Sequence, residues 1–449
     1  MVLVDIRHLI GTHAVIADNH QQGASHKSER KDTGLIGAYE LRDDNGKQWK
    51  HYTPYANANA VENEIARGLM GRVLLFLIRK RALRHRTDEA IYPVVHQSRN
   101  RTLLTRFVRS SFHSAIIILH TSNVTRGGIM TDSIMQEPIS FASTDTETTI
   151  RGYIWHDESC AKPRGIVQIA HGMAEHIGRY DDFARFLASK GFIVGGYDHL
   201  AHGDSVSDDV PWGGFDPRNG ANHLIEDVHR MRSLMLARTP AGLPYFVFGH
   251  SMGSYIMRDY IARHGEGLAG AILCGTGYIA PIVSKAGNAL ARAMSAIRGK
   301  NYKSKLLDHM GVGAFNKVID DARTEADWIS ASQENVDHYL ADEKSGFMFP
   351  AGGYAALTAL TREACSPATI QAVPHGLPLL FIAGAEDPVG SMGEGVRKVA
   401  AMMQKAGVQD VEVEIYAGMR HEILNEDDHM RVYEDVAAWL DKQVNGGSK

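Results

Sequence analysis

From about residue 139 onward, short apolar runs bounded by Gly, Asp or Asn alternate with stretches whose apolar residues recur at helical spacing. GIVQIAHG (165–172) and FIVGGYDH (192–199) read as strands on either side of a helix-like RYDDFARFLASKG (179–191). The rhythm continues through ANHLIEDVHRMRSLMLA (221–237), YFVFGHSMG (245–253), SYIMRDYIARHG (254–265) and LAGAILCGTG (268–277). It resumes with PLLFIAGAED (378–387), GEGVRKVAAMMQKAG (393–407), VEVEIYAG (411–418) and HMRVYEDVAAWLDKQV (429–444). Strands and helices alternating at these lengths predict an α/β fold, a mostly parallel sheet with helices on both faces. The first stretch, ISFASTDTETTIRGYIWHD (139–157), predicts an antiparallel hairpin at the sheet edge. Helix-like pieces without clear strands fill 281–372, the pattern of an inserted helical cap, and such insertions commonly shape binding sites. The expected organisation is therefore a core split into 130–280 and 373–449, with the cap between.

Residues 1–129 are of another kind. They carry 19 Lys and Arg against 11 Asp and Glu, a balance of +8, whereas the chain as a whole stands at −4. Their short apolar bits are separated by text such as LIRKRALRHRTDEA (77–90), with neither sustained alternation nor a capped helix pattern. A basic run could serve as an arm for nucleic acid or an anionic membrane, but no nucleic-acid fold signature accompanies it. The expectation is a disordered leader, or an upstream region absent from the native chain, which would then begin near Met130; no nucleic-acid partner is expected. The apolar runs 68–78 and 115–119 are too short to span a bilayer. Cys160, Cys274 and Cys365 show no CxxC spacing, which argues against a disulfide framework or zinc ribbon and suits a cytoplasmic protein.

The chemistry begins at GHSMG (249–253). Gly-x-Ser-x-Gly alone is a weak signal, but here it leaves an apolar strand and opens an amphipathic helix. A serine in such a sharp turn is exposed as a nucleophile, and small residues two positions either side let strand and helix approach. A hydroxyl needs a base, and the base an orienting carboxylate. Both are expected on loops after later strands, in the order Ser, acid, His. PLLFIAGAED ends in Glu386-Asp387-Pro388, with Asp387 136 residues after Ser251, and VEVEIYAG is followed by Met419-Arg420-His421. Asp387 is preferred over its neighbour Glu386 because the residue before proline is held extended, though adjacency leaves the choice open. His171-Gly172-Met173 after the strand GIVQIA offers a backbone turn, so the amides of Met173 and Met252 form the candidate oxyanion hole, with the His171 imidazole bracing the loop. Asp198, His199, His202 and Asp204 crowd YDHLAHGDS, yet no HExxH or HxHxDH-like run occurs, and Asp198 and His202 are better read as loop-holding groups. His250 is read as a packing or supporting group beside the nucleophile.

HGMAEHIGRY (171–180), YDHLAHGDS (197–205), GHSMGS (249–254), AGAEDPVG (383–390) and YAGMRHEILNE (416–426) together resemble the monoacylglycerol lipase and lysophospholipase branch of the α/β-hydrolases, also labelled serine aminopeptidase-like. The resemblance spans about 139–445, including the cap text around 315–349. It implies an α/β-hydrolase fold, with Ser251 as nucleophile, His421 as base, Asp387 as acid and the Met173 and Met252 amides as oxyanion hole. Two positions depart from the pattern: Ser254 and Ala201 stand where glycine is usual. The implied activity is hydrolysis of single-chain lipid esters, monoacylglycerol or lysophospholipid, through an acyl-enzyme. A general short-chain carboxylesterase is the alternative, and a peptidase or amidase a more distant one. The expected partner is a small lipid ester, with transient membrane-surface contact through the cap; no metal or organic cofactor is expected. Val312, Phe315, Trp328 and Phe347 are candidates for an acyl slot, or for plain core. A chelator separates the serine from the metal reading: turnover of the serine enzyme is expected to be unchanged in its presence, measured on any ester the protein cleaves.

Overall fold

The computed structural model describes residues 133–207 and 210–446, together with the backbone of 37–42 and 48–53. The expectations for 1–129 fall outside the described residues, apart from one antiparallel pair, β1 (Gly37–Arg42) with β2 (Gln48–Thr53). The main sheet begins with β3 (Ile134–Ala142) and β4 (Thr149–Asp157), paired antiparallel at one edge. That hairpin starts five residues before the apolar text suggests, because Ile134–Glu137 complete the register opposite Asp157–Ile154. Next come β5 (Gly165–Ala170), α1 (Asp181–Ser189), β6 (Phe192–Tyr197) and α2 (Gly220–Arg238). They are followed by β7 (Tyr245–His250), α3 (Met252–His264) and β8 (Gly270–Cys274).

An insertion then carries α4 (Pro281–Arg298), α5 (Lys305–Met310), two short 3-10 turns (Val312–Val318 and Asp327–Ile329), α6 (Gln333–Ala341), α7 (Ala351–Ala364) and α8 (Pro367–Ala372). The chain returns through β9 (Leu379–Gly384), α9 (Glu394–Lys405), β10 (Val411–Tyr416) and α10 (His429–Gly446).

The strand order is β10-β9-β8-β7-β5-β6-β4-β3, with parallel pairing from β10 to β6 and antiparallel pairing of β6, β4 and β3. Strands covered on both faces have no reason to alternate. Accordingly every residue of β5, β6, β7, β8 and β9 is buried, whereas β4, next to edge strand β3, alternates over its first half. Gly195 and Gly196 display the two faces side by side. Met231 and Met235 of α2 lie over Gly195, and Ile177 lies over Gly196 on the opposite side. Phe183 of α1 and Trp439 of α10 cover that second side, against Phe248 and Phe246. In the insertion the Asn288 amide of α4 donates to the Ala355 carbonyl of α7 at 2.7 Å.

Ala201, one of the two departures, adopts φ 57° in the loop after β6. Its N–H donates to the Ser205 carbonyl, and its own carbonyl accepts from Gly213, so the conformation is locked. A Cβ in that region costs about 1–2 kcal/mol, partly offset by the roughly 0.5–1 kcal/mol of extra chain entropy glycine loses. Ala201→Gly is therefore expected to stabilise the fold by up to about 1 kcal/mol, read as a higher midpoint in denaturant unfolding.

Candidate active site

Ser251 joins β7 to α3 with φ 53° and ψ −119°, a conformation an L-residue holds only when its surroundings impose it. Its N–H donates to the Cys274 carbonyl at 3.0 Å, tying the turn to β8. Its carbonyl accepts the Ser254 N–H at 2.9 Å and the Ser254 hydroxyl at 2.6 Å, so the second departure from the motif ties down the turn. A side chain at Gly249 would run into the Gly253 backbone, and one at Gly253 into the Ala170 carbonyl of β5. The two glycines are what let strand, turn and helix fit together.

His421 follows β10 and Asp387 follows β9, both buried, with the imidazole Nδ1 3.0 Å from Asp387 Oδ2. Asp387 Oδ1 accepts the Val389 N–H at 2.8 Å, which fixes the carboxylate. The adjacent Glu386 is half exposed and faces Arg420 at 3.8 Å, so Asp387 is the carboxylate that meets the ring. His421 Nε2 is buried with no hydrogen-bond partner among the described residues. Gly275, at φ 57°, packs so closely that a Cβ there would lie 3.1 Å from His421 Cε1 and 3.2 Å from His250 Nε2. Gly172 packs equally close to Ser251: a Cβ there would lie 3.1 Å from the Ser251 Cβ. The amides of Met173 and Met252 make no hydrogen bond to a described residue.

The histidines of the loops after β5 and β6 brace backbone. His171 bonds the Gly172 carbonyl through Nδ1 and accepts the His199 N–H through Nε2. His202 bonds the Leu200 carbonyl and accepts the Ala174 N–H, while His199 Nε2 faces the His171 carbonyl. Burial keeps all three neutral, pushing His199 down to about 3, His202 to about 4 and His171 well below its ordinary value. Asp198 accepts the Ile177 and Asp204 N–H groups. All of these ring nitrogens and carboxylate oxygens except His199 Nδ1, which is buried without a partner among the described residues, are occupied as loop braces. No group of three or more His, Cys, Asp or Glu among the described residues is disposed to hold a metal ion.

Sequence reasoning missed a set of buried charges beside the site. Glu175 Oε1 accepts the Gly172 N–H and the Tyr180 hydroxyl and faces His250 Nδ1, while Arg179 reaches its other oxygen at 3.3 Å. Arg179 also grips Glu422, next to His421, with both nitrogens at 2.6 and 2.8 Å. Burial pushes both carboxyls up, but the hydrogen bond and charge of His250 hold Glu175, and the Arg179 charge holds Glu422, below the ordinary range. Glu175 and Arg179 sit in HGMAEHIGRY and Glu422 and Glu426 in MRHEILNE, so polar residues flanking each candidate stretch were the signal available.

The insertion is strapped to the His421 loop. Arg420 donates to the Asp327 and Ser330 carbonyls, and the Glu422 N–H to the Ile329 carbonyl at 2.7 Å. Buried Glu426 accepts from the Ser330 hydroxyl and from the N–H groups of Ala331, Ser332 and Arg420. This strap lays the Trp328 ring 5.1 Å from that of His421, with Phe315 5.0 Å behind it. Val312, Ile319, Tyr339 and Val389 pack on the same cluster. Phe347 is not part of it; its ring sits with Trp212 and His202 instead.

A parallel sheet that presents a serine on a strained strand-to-helix turn, with a carboxylate and a histidine at the ends of later strands, defines an α/β-hydrolase. The chain belongs to the serine aminopeptidase, S33, family, whose model matches residues 161–428. It is 31% identical over 284 residues to a monoacylglycerol lipase of Mycolicibacterium smegmatis, covering 62% of this chain and 88% of that one. Human monoglyceride lipase is 25% identical over 292 residues, 63% of this chain and 84% of the relative. Among solved structures, a thermostable carboxyl esterase from Bacillus coagulans in complex with glycerol superposes with a TM-score of 0.63 at 32% identity, over 70% of this chain and 100% of the other. The protein is a serine hydrolase that acts on esters.

Removing the Glu426 carboxylate leaves four donors without their acceptor. Glu426→Ala is expected to cost about 2–4 kcal/mol, with Glu426→Gln costing less, seen as falls in the thermal midpoint.

Proposed function

We propose that this protein hydrolyses esters of single-chain lipids, monoacylglycerol or lysophospholipid, through an acyl-enzyme on Ser251. The observation that carries this reading is the apolar wall of Trp328 and Phe315 laid on the His421 ring, with Val312 and Ile319 continuing it. An alkyl chain seated there lies beside the base and puts its ester carbonyl at Ser251. Ser251 Oγ attacks that carbonyl as His421 Nε2 takes the hydroxyl proton, while Asp387 holds the opposite N–H and steadies the imidazolium. The Met173 and Met252 amides hold the oxyanion, a donor pair for which each member is typically worth about 10²–10³ in rate. The tetrahedral species collapses, and the alcohol departs with the proton from His421. Water then attacks the acyl group with His421 again as base, releasing the fatty acid and restoring Ser251.

The relatives support the lipid assignment: two are lipases named for monoacylglycerol or monoglyceride, and the esterase was solved with glycerol. In this reading 281–372 acts as the cap. Ile297 and Leu306 are exposed on it and give it a surface for transient contact with the lipid aggregate that holds the substrate. No helix among the described residues is long and apolar enough to cross a membrane. All three cysteines are free, which fits a place in the reducing cytoplasm.

The test is hydrolysis of monoacylglycerols and lysophospholipids of several chain lengths, short aryl esters and an aminoacyl amide by the native protein, Ser251→Ala and Trp328→Ala. The expected result is serine-dependent preference for long single-chain esters. Trp328→Ala should lose roughly 1–3 kcal/mol of that preference, about 5–150-fold in kcat/KM, on long chains and little on short ones. Preference for short esters would assign a general carboxylesterase, and turnover surviving Ser251→Ala would refute the mechanism.

A further inference from the structure

His250 differs from the three bracing histidines in the company its ring nitrogens keep. His171 and His202 each pair one acceptor with one N–H donor, the arrangement a neutral imidazole satisfies. His250 meets acceptors at both nitrogens. Nδ1 lies 3.2 Å from the Glu175 carboxylate, and Nε2 lies 3.2 Å from the backbone carbonyl of His421. Neither group can donate, so a neutral ring would leave one contact as lone pair against lone pair. Both contacts are favourable only when the ring carries two N–H groups.

We propose that His250 is an imidazolium that ties the oxyanion loop to the loop carrying the catalytic base, one N–H for each. Through Glu175 it holds the Gly172 N–H, one residue before the Met173 amide. Through the His421 carbonyl it holds the base, whose ring centroid lies 4.7 Å away. The inference rests on the assignment of His421 and Met173 above. His250 touches no reacting atom and is a positioning residue.

The charges around it fit. The residue is buried, which disfavours charge, yet the hydrogen bond and charge of Glu175 raise its pKa above the ordinary value of 6.5. Facing it from the oxyanion loop and the turn after it are Glu175, itself bonded by Arg179, and Tyr180, whose ring centroid is 6.3 Å away. From the base loop come His421 and Glu422, and Cys274 stands one residue before Gly275 on β8. Because the folded value is raised, the tie is complete below the unfolded value of about 6.5 and is lost as pH climbs through the higher folded value. Glu175 sets the acid side: held below its ordinary value, it stays charged until pH falls far under the usual carboxyl range.

The experiment is long-range 1H–15N correlation on the full chain labelled with 15N-histidine, with His250 assigned by its disappearance in His250→Gln. At about pH 7 both His250 nitrogens are expected at the protonated position, while His199 and His202 show one protonated nitrogen each. One unprotonated nitrogen on His250 overturns the proposal. If His250→Gln fails to fold, Glu175→Gln supplies the assignment, because only His250 should lose a proton there. Kinetically, His250→Gln keeps a donor but cannot titrate. It is expected to lower kcat by about 10–100-fold with little change in KM, and to lack the alkaline decline in kcat that the proposal predicts for the native enzyme. An unchanged decline would also overturn the proposal. The spectra do not depend on turnover, so survival of activity in Ser251→Ala would sink the nucleophile assignment while leaving this test readable.

Discussion

The site depends on a guanidinium buried between two carboxylates. Arg179 is reached from the loop after β5 by Glu175 and from the loop after β10 by Glu422, and Asn335 of the insertion closes the ring by bonding both Arg179 and Glu422. Each charge was costly to bring out of water, and such a cluster adds little net stability over a well-packed apolar one. Removing a single member, however, leaves the others unpaired at a cost of about 3–5 kcal/mol. That asymmetry makes the cluster an all-or-none device. Three segments far apart in sequence have one arrangement in which every charge is satisfied, and in it Gly172 packs against Ser251 while Glu422 anchors the residue next to His421.

The strained serine turn works by the same logic at shorter range. Its unfavourable dihedrals are held by β8 on one side and Ser254 on the other, and Gly249 and Gly253 remove the side chains that would oppose it. Strain and buried charge both cost stability locally. The uniformly buried strands and the aromatic packing of Phe183, Phe248, Phe246 and Trp439 supply what offsets them.

Much of this was legible in the sequence because it is written locally. Strands buried on both faces are apolar throughout, and the turns that end them carry Gly, Asp and His at recognisable offsets, so the sheet and the candidates Ser251, Asp387 and His421 at strand ends can be read in one pass. What was not legible is pairing. Glu386 and Asp387 are adjacent acids, and only the closed structure turns Asp387 inward and Glu386 toward Arg420. Glu426 looks like any surface acid on a polar stretch until Ala331 and Ser332 arrive, some ninety residues away in the chain. Phe347 carries the same hydrophobicity as Phe315, yet the insertion's path sends it to Trp212. Composition and spacing cannot rank such alternatives, because partner choice is decided by tertiary closure.

The strap between 327–335 and 420–426 redraws the boundary of what can be exchanged. By chain connectivity the insertion is a module, entered after β8 and left before β9, and a chimera builder would transplant it whole. By hydrogen bonding its inner edge belongs to the histidine loop, since Arg420, Glu422 and Glu426 between them satisfy the backbone of Asp327, Ile329, Ser330, Ala331 and Ser332. A foreign insertion grafted alone would arrive without its ligands and would strand theirs. The unit of inheritance is therefore discontinuous, and recombination that respects it must carry two separate stretches of the gene together.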